Sequence, residues 1–184
     1  MHGVLNGIRV LDFSEYIAGP YAGELLADLG AEVIKVEPPL GDFWRHTTPV
    51  APAESRGFMG VNKGKRSISL DLKHPETREV LERMVRSADV FLANYRPGVA
   101  ARLGVDYEAL SAINPRLIYC ENTAFGKRGP YSERAGFDLV SQAMTGIMAF
   151  EGAGGLPHPI ITTSPTDLAA GMFMAYAVAA ALYQ

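Results

Sequence analysis

Cysteine is almost absent. Cys120 is the only one in 184 residues, so no disulfide closes within the chain, and a reducing setting, the cytoplasm, is expected. Histidine is scarce as well: His2, His46, His74 and His158 form no HExxH and no Cys/His cluster of ligand spacing, so no metal is expected. No dense block of Lys and Arg occurs among 17 basic residues set against 20 acidic ones, and a net charge of −3 disfavours nucleic acid as a partner. The start, Met1-His-Gly-Val-Leu-Asn-Gly7, lacks the basic-then-apolar layout of a signal peptide. The longest uncharged run, Leu168 to Gln184, is interrupted by Gly171 and falls short of the roughly 20 residues that span a bilayer. It reads as a buried helix, and no membrane partner is expected.

The remaining composition, 48% hydrophobic and 20% charged with 19 Gly and 12 Pro, is that of one folded domain. Ile8-Arg-Val-Leu-Asp-Phe13 reads as a strand, Tyr21, Leu25, Leu26 and Leu29 recur at helical spacing, and Gly30 supplies a left-handed stop before a second strand, Glu32 to Glu37. A Pro/Gly-rich connection from Pro38 to Gly64 leads to a strand over Ser67 to Leu72. The helix after it begins at Pro75, with Val80, Leu81, Met84 and Val85 on one face and Glu79 one turn before Arg83. Ala88 to Ala93 is a further apolar strand, and a short helix from Tyr107 precedes Leu117-Ile-Tyr-Cys120. Phe137, Val140, Met144 and Ile147 give Phe137 to Phe150 a helical period, and a loop from Gly152 to Pro165 precedes the last helix. Strands alternating with helices predict an α/β fold, a parallel sheet with helices on both faces and ligands beyond the carboxyl ends of the strands. Asp12, Asn94 and the helix start at Asp167 are therefore expected at one edge of that sheet.

Few segments carry chemistry on their own. The dinucleotide fingerprint GxGxxG is missing after the first strand, and Gly152-Ala-Gly-Gly155 has no Lys-Ser/Thr behind it to make a phosphate loop. Ser164-Pro-Thr-Asp167 has two readings. Asp167 is a helix cap, or it is a reactive carboxylate kept ionised by the helix amino terminus and suited to attack on a thioester, whose thiolate leaves readily. Asn94-Tyr-Arg-Pro-Gly98 ends an apolar strand, and Arg96 and Arg102 are either solvated surface charges or phosphate contacts. Cys120 reads as packing in its strand. Trp44 and Arg45 stay ambiguous.

Several ordered blocks resemble family III CoA-transferases, the CaiB/BaiF group that also contains α-methylacyl-CoA racemases. They are Leu5 to Asp12, Ala18-Gly-Pro20, Leu26 to Glu37, Gly41-Asp42, Asn62 to Ser67, Asn94 to Gly98, Asn114 to Tyr119 and Phe125-Gly126. The resemblance implies a Rossmann-like large domain, of which residues 1–184 form the amino-terminal part, with the second small domain and the carboxyl-terminal return absent from the chain. It implies coenzyme A, bound as acyl-CoA, and a carboxylic acid acceptor as partners, no metal, and a homodimer in the full-length form. Asp167 falls on the family's nucleophile, and Asn94, Arg96, Arg102 and Leu72 become candidate CoA contacts. Formyl- and oxalyl-type transferases resemble this chain less closely at two positions, carrying Gln where it has Ile17 and Tyr where it has Phe137. The racemases carry Gly-His-Asp where it has Gly136-Phe137-Asp138, and a phenyl ring moves no proton. A transferase working through an aspartyl intermediate is therefore expected. A racemase-type epimerase, and a truncated CoA-binding or assembly homologue without activity, are the alternatives.

Overall fold

The computed structural model describes residues 3–52, 54–152, 154–161 and 163–184; His2, and Ala153 of the glycine-rich run, lie outside them. Strand β1 (Arg9–Asp12) leads into α1 (Ala18–Asp28), and Gly30, at φ +101°, turns the chain into β2 (Glu32–Glu37) as its sequence predicts. The connection over 38–64 is more ordered than a Pro/Gly-rich loop suggests. It holds a short 3-10 turn (Phe43–His46), a hairpin of β3 (Pro49–Ala51) and β4 (Glu54–Ser55), and α2 (Arg56–Gly60), whose first turn is capped by the Ser55 hydroxyl. Next come β5 (Arg66–Ser69), α3 (Thr77–Arg86), β6 (Val90–Ala93), α4 (Val99–Leu103), α5 (Tyr107–Ile113) and β7 (Ile118–Glu121). Strand β5 stops at Ser69, which frees Leu72 from the sheet, and α3 starts two residues after Pro75 because His74 to Thr77 first closes a turn. The chain finishes with α6 (Asp138–Thr145), α7 (Ile147–Glu151) and α8 (Pro165–Leu182).

The five-stranded sheet has the order β5-β2-β1-β6-β7 and is parallel throughout. Side-chain alternation along its strands builds a core on each face. Val10, Val33, Val90 and Leu92 point to α1 and α8, where Ala22, Leu26, Met174 and Val178 meet them. Leu11, Phe91 and Ala93 point to the other face and pack with Leu81 and Val85 of α3, Ala100 of α4 and Leu110 of α5. The chain leaves β2 and β5 on one side of β1 and then crosses to β6 on the other. The β1/β6 boundary is thus the point where the strand order reverses, the usual place for a ligand crevice in such sheets.

Two expectations about the last third change. The helical stripe over Phe137 to Phe150 is two helices, broken at Gly146 with φ +81°, and its apolar residues Phe137, Val140 and Met144 are exposed. What α6 buries instead is polar: Asp138 and Gln142. Helix α8 is buried on one side only. Gly171 lies against α1 so closely that a Cβ there would fall 2.6 Å from the Ala18 carbonyl oxygen, while Met172, Phe173 and Tyr176 face outward. By length and composition α8 is also apolar enough to cross a membrane, with a mean hydropathy of 1.3, although one face is committed to the core.

Candidate active site

A cleft of about 570 Å³ opens at the carboxyl ends of the strands, between the loop after β1, the turn after β6 and the first turn of α8. Asp167, Asn94, Arg96 and Leu72 all line it. Arg102 does not: it is exposed at the end of α4, its guanidinium near Gly98. Asp12 reaches the carboxyl end of β1 but lies beneath the cleft, wholly buried and paired at 2.8 Å with the Lys65 ammonium. The side chain of Asn94 is committed to structure, its amide donating to the Glu15 carbonyl at 2.7 Å and its oxygen accepting the Glu15 N–H at 2.8 Å. Arg96 stands 5.7 Å from the centre of the Phe137 ring, and that ring packs edge-on against Tyr16.

Tyr16 is one of the residues that sequence reasoning missed. Its φ of +66° is unusual for a bulky residue, and the strain is held by neighbours. Asp42 accepts the Tyr16 N–H at 3.2 Å and the Trp44 N–H at 2.9 Å, while its other oxygen sits 3.0 Å from the buried Lys35 ammonium. Lys35 in turn donates to the Ser14 carbonyl at 2.7 Å. Arg45, ambiguous from the sequence, grips Glu37 with two nitrogens at 2.7 and 2.9 Å. Burial works to raise the Glu37 carboxyl, but Arg45, the Asp42 N–H and the Ser67 hydroxyl outweigh it and hold it at about 2. The polar matrix over 35–45 thus fixes one wall of the cleft.

Asp167 is in the first turn of α8 but does not cap it. The Asp138 carboxylate does so from another helix, accepting the Thr166 N–H at 2.8 Å, the Thr166 hydroxyl at 2.6 Å and the Asp167 N–H at 3.3 Å. The expectation that the helix start holds Asp167 readily ionised is corrected accordingly. Burial, and then the nearby Asp138 charge, raise its pKa from the usual 3.8 to about 6. At pH 7 the carboxylate form still predominates. Cys120 goes further from reactivity, its thiol pushed up to about 11 by burial. Among the described residues no group of three or more His, Cys, Asp or Glu side chains forms a metal-holding cluster.

The raised Asp167 makes a stability prediction. A native pKa above the unfolded value means that the folded state loses stability as pH rises from 3.8 to about 6, with the full cost present above that window. Such a shift separates the two protonation states by about 3 kcal/mol, which water screening at this partly open site reduces to about 1 kcal/mol. Asp167→Asn is expected to raise the melting temperature at pH 8 by about 2–4 °C. Thermal denaturation of both proteins should show that gain at pH 8 and its loss below pH 4.

With this geometry in place, comparisons with known proteins give one answer. The sequence profile described as CoA-transferase family III matches residues 5–184. The chain is 44% identical over 183 residues to the acetyl-CoA:oxalate CoA-transferase of Acetobacter aceti, covering 98% of this chain and 47% of that protein. It is 41% identical over 186 residues to the succinate–glutarate CoA-transferase of Agrobacterium fabrum, covering 97% and 46%. Among solved structures, a CaiB/BaiF family protein from Brucella suis superposes with a TM-score of 0.91 at 41% identity, over 100% of this chain and 50% of that one. The chain spans about half the length of the curated relatives it matches. Matched by the profile from Leu5 to its last residue, and by the fold over its whole extent, the chain belongs to CoA-transferase family III.

Proposed function

We propose that the protein moves CoA from an acyl-CoA thioester to a carboxylic acid, with Asp167 as the nucleophile. The observation that carries this is the Asp167 carboxylate, half-buried at the start of α8, facing a cleft that Arg96 and Leu72 also line. The names of the relatives, which transfer CoA between small acids, support the reaction class.

In the proposed sequence an Asp167 oxygen attacks the thioester carbonyl carbon, and the C–S bond breaks to release CoA thiolate and leave an aspartyl–acyl anhydride. The thiolate attacks the Asp167 carbonyl carbon of that anhydride, releasing the donor as its carboxylate and leaving an aspartyl–CoA thioester. An oxygen of the acceptor carboxylate then attacks the carbonyl carbon of this thioester, forming an aspartyl–acceptor anhydride as the C–S bond breaks and frees the thiolate again. Attack of the thiolate on the acceptor's carbonyl gives the new acyl-CoA and restores Asp167. Each step exchanges one acyl bond for another, so no net proton or electron is supplied. Arg96 offers a fixed positive charge to a CoA phosphate at the mouth of the cleft, and the Tyr16–Phe137 contact closes the side beside it.

The reaction class is tested by supplying acyl-CoA with a panel of carboxylic acids in deuterated water. Carboxylate-dependent formation of a new acyl-CoA without exchange of the donor's α-hydrogen is expected; α-exchange without transfer would replace this reading with the epimerase. For the binding mode, Arg96→Ala is expected to weaken CoA about tenfold, the worth of one charge-assisted contact. Calorimetry should also show that the wild-type affinity falls with salt more steeply than that of the variant. Arg102→Ala, which changes a residue outside the cleft, is expected to have the smaller effect.

A further inference from the structure

The start of α8 is not made by its own sequence. Ser164, at the N-cap, has φ +43°, and its side chain makes no capping hydrogen bond; Pro165 has no N–H to offer. The first free donors of the helix are the N–H groups of Thr166 and Asp167, and both go to one oxygen of Asp138, 28 and 29 residues earlier in the chain. The Thr166 hydroxyl joins them on the same oxygen. The other Asp138 oxygen accepts from the Gln142 amide. Gln142 is wholly buried and is itself pinned at both ends, its nitrogen donating to the Ile160 carbonyl at 2.8 Å and its oxygen accepting the Ile160 N–H at 2.8 Å. Three separate segments, α6, the loop at Ile160 and the first turn of α8, therefore meet on two buried side chains.

We propose that Asp138, braced by Gln142, is a positioning residue for the transfer reaction: it sets the left-handed entry into α8 and so aims the Asp167 carboxylate at the cleft. This rests on the reading of Asp167 as the nucleophile. An Asp138 that were only a helix cap would contribute to stability and nothing else. A positioning Asp138 fixes the Asp167 backbone through the Asp167 N–H itself, and its charge sits beside the reacting carboxylate. Other ionisable groups line the same cleft: Glu15 and Tyr16 after β1, Glu37 at the end of β2, Asp71 and Lys73 after β5, Tyr95 and Arg96 after β6, and Arg134 before α6. The start of α1, Ala18-Gly-Pro20, is packed against α8 and brings no charge. Burial is the larger cause of the raised Asp167 carboxyl, and Asp138 is the charge that adds to it.

Two variants separate the roles. Asp138→Asn keeps an oxygen to accept from Thr166 and Asp167 but removes the charge. By carbon NMR on labelled protein, the Asp167 titration midpoint is expected to fall, and the acid limb of the transfer profile to move with it. Asp138→Ala removes the hold altogether; kcat is expected to fall at least about tenfold with KM nearly unchanged, because the attacking group is misaimed while CoA still binds. An unmoved Asp167 titration in Asp138→Asn, or a wild-type kcat in Asp138→Ala, would overturn the proposal. Failure of the underlying reading looks different: the unsubstituted protein would then form no covalent adduct at Asp167, which overturns the nucleophile and the catalytic role of Asp138 together, whatever the titrations show.

Discussion

Asp167→Asn is expected to lower CoA transfer by about three orders of magnitude or more while CoA binding stays within about threefold. The substitution is nearly isosteric and keeps the Asp167 N–H on Asp138, so the first turn of α8 is preserved. What disappears is the anionic oxygen that opens the thioester in the proposed reaction. An amide oxygen in the same place is a poor nucleophile, and nothing else at the start of α8 replaces it: Thr166 is hydrogen-bonded through its hydroxyl to Asp138. Initial rates of acyl-CoA formation, measured beside CoA titrations, separate lost chemistry from lost binding. The higher melting temperature expected of the same variant removes misfolding as the explanation. A protein that is more stable and inactive is the signature of a carboxylate held at a cost for use in chemistry.

The second large effect is on stability. Lys65→Ala is expected to cost about 3–5 kcal/mol, because it leaves a buried carboxylate without its cation. The Lys65 ammonium, 2% exposed, is surrounded by Asp12 at 2.8 Å, the Pro20 carbonyl at 2.6 Å, the Asn62 side-chain oxygen at 2.8 Å and the Val61 carbonyl at 3.1 Å. Burial works to raise Asp12, but Lys65 and then Lys35 outweigh it, and the carboxyl is held below its ordinary range. Its contribution is thus present above pH 3.8 and is lost as pH falls below that. Urea unfolding of Lys65→Ala, Asp12→Asn and the double variant makes a cycle. The double variant should recover a large part of the loss, since the cost lies in the unpaired charge rather than in either side chain. The pair joins the end of β1, the start of α1 and the segment before β5, so its loss also slackens the loop that carries Tyr16 and Ile17 into the cleft.

Much of this architecture is written in local patterns. Strand β6 is a short apolar run, β1 and β2 are short segments rich in Val, Leu and Ile between turn residues, α3 has one apolar stripe, and their order alone implies a parallel sheet with a crevice at the carboxyl ends. Three features escape such reading for physical reasons. Helix α8 is apolar all round, so nothing in its periodicity tells the face against α1 from the face carrying Phe173 and Tyr176. In α6 the pattern misleads, since Phe137, Val140 and Met144 look like a core stripe while the buried side is held by Asp138 and Gln142, whose partners are distant in sequence. The 38–64 segment is held by buried ion pairs among Lys35, Glu37, Asp42 and Arg45 rather than by a hydrophobic period. Of the site, Asp167 was identifiable as a helix-start carboxylate with two meanings, and the family resemblance favoured one of them. Asp138 ends the Gly136-Phe137-Asp138 segment, but a cap supplied across 28 residues leaves no local signal.

The proposed nucleophilic role of Asp167 is tested most directly by a mass measurement at that residue. The purified protein is incubated with an acyl-CoA at pH 8, trapped with hydroxylamine, digested, and the peptide containing Asp167 weighed. A hydroxamate at Asp167, formed only when acyl-CoA is present and absent in Asp167→Asn, is the predicted result. Unmodified Asp167 peptide from a protein that nevertheless transfers CoA to a carboxylic acid would contradict it.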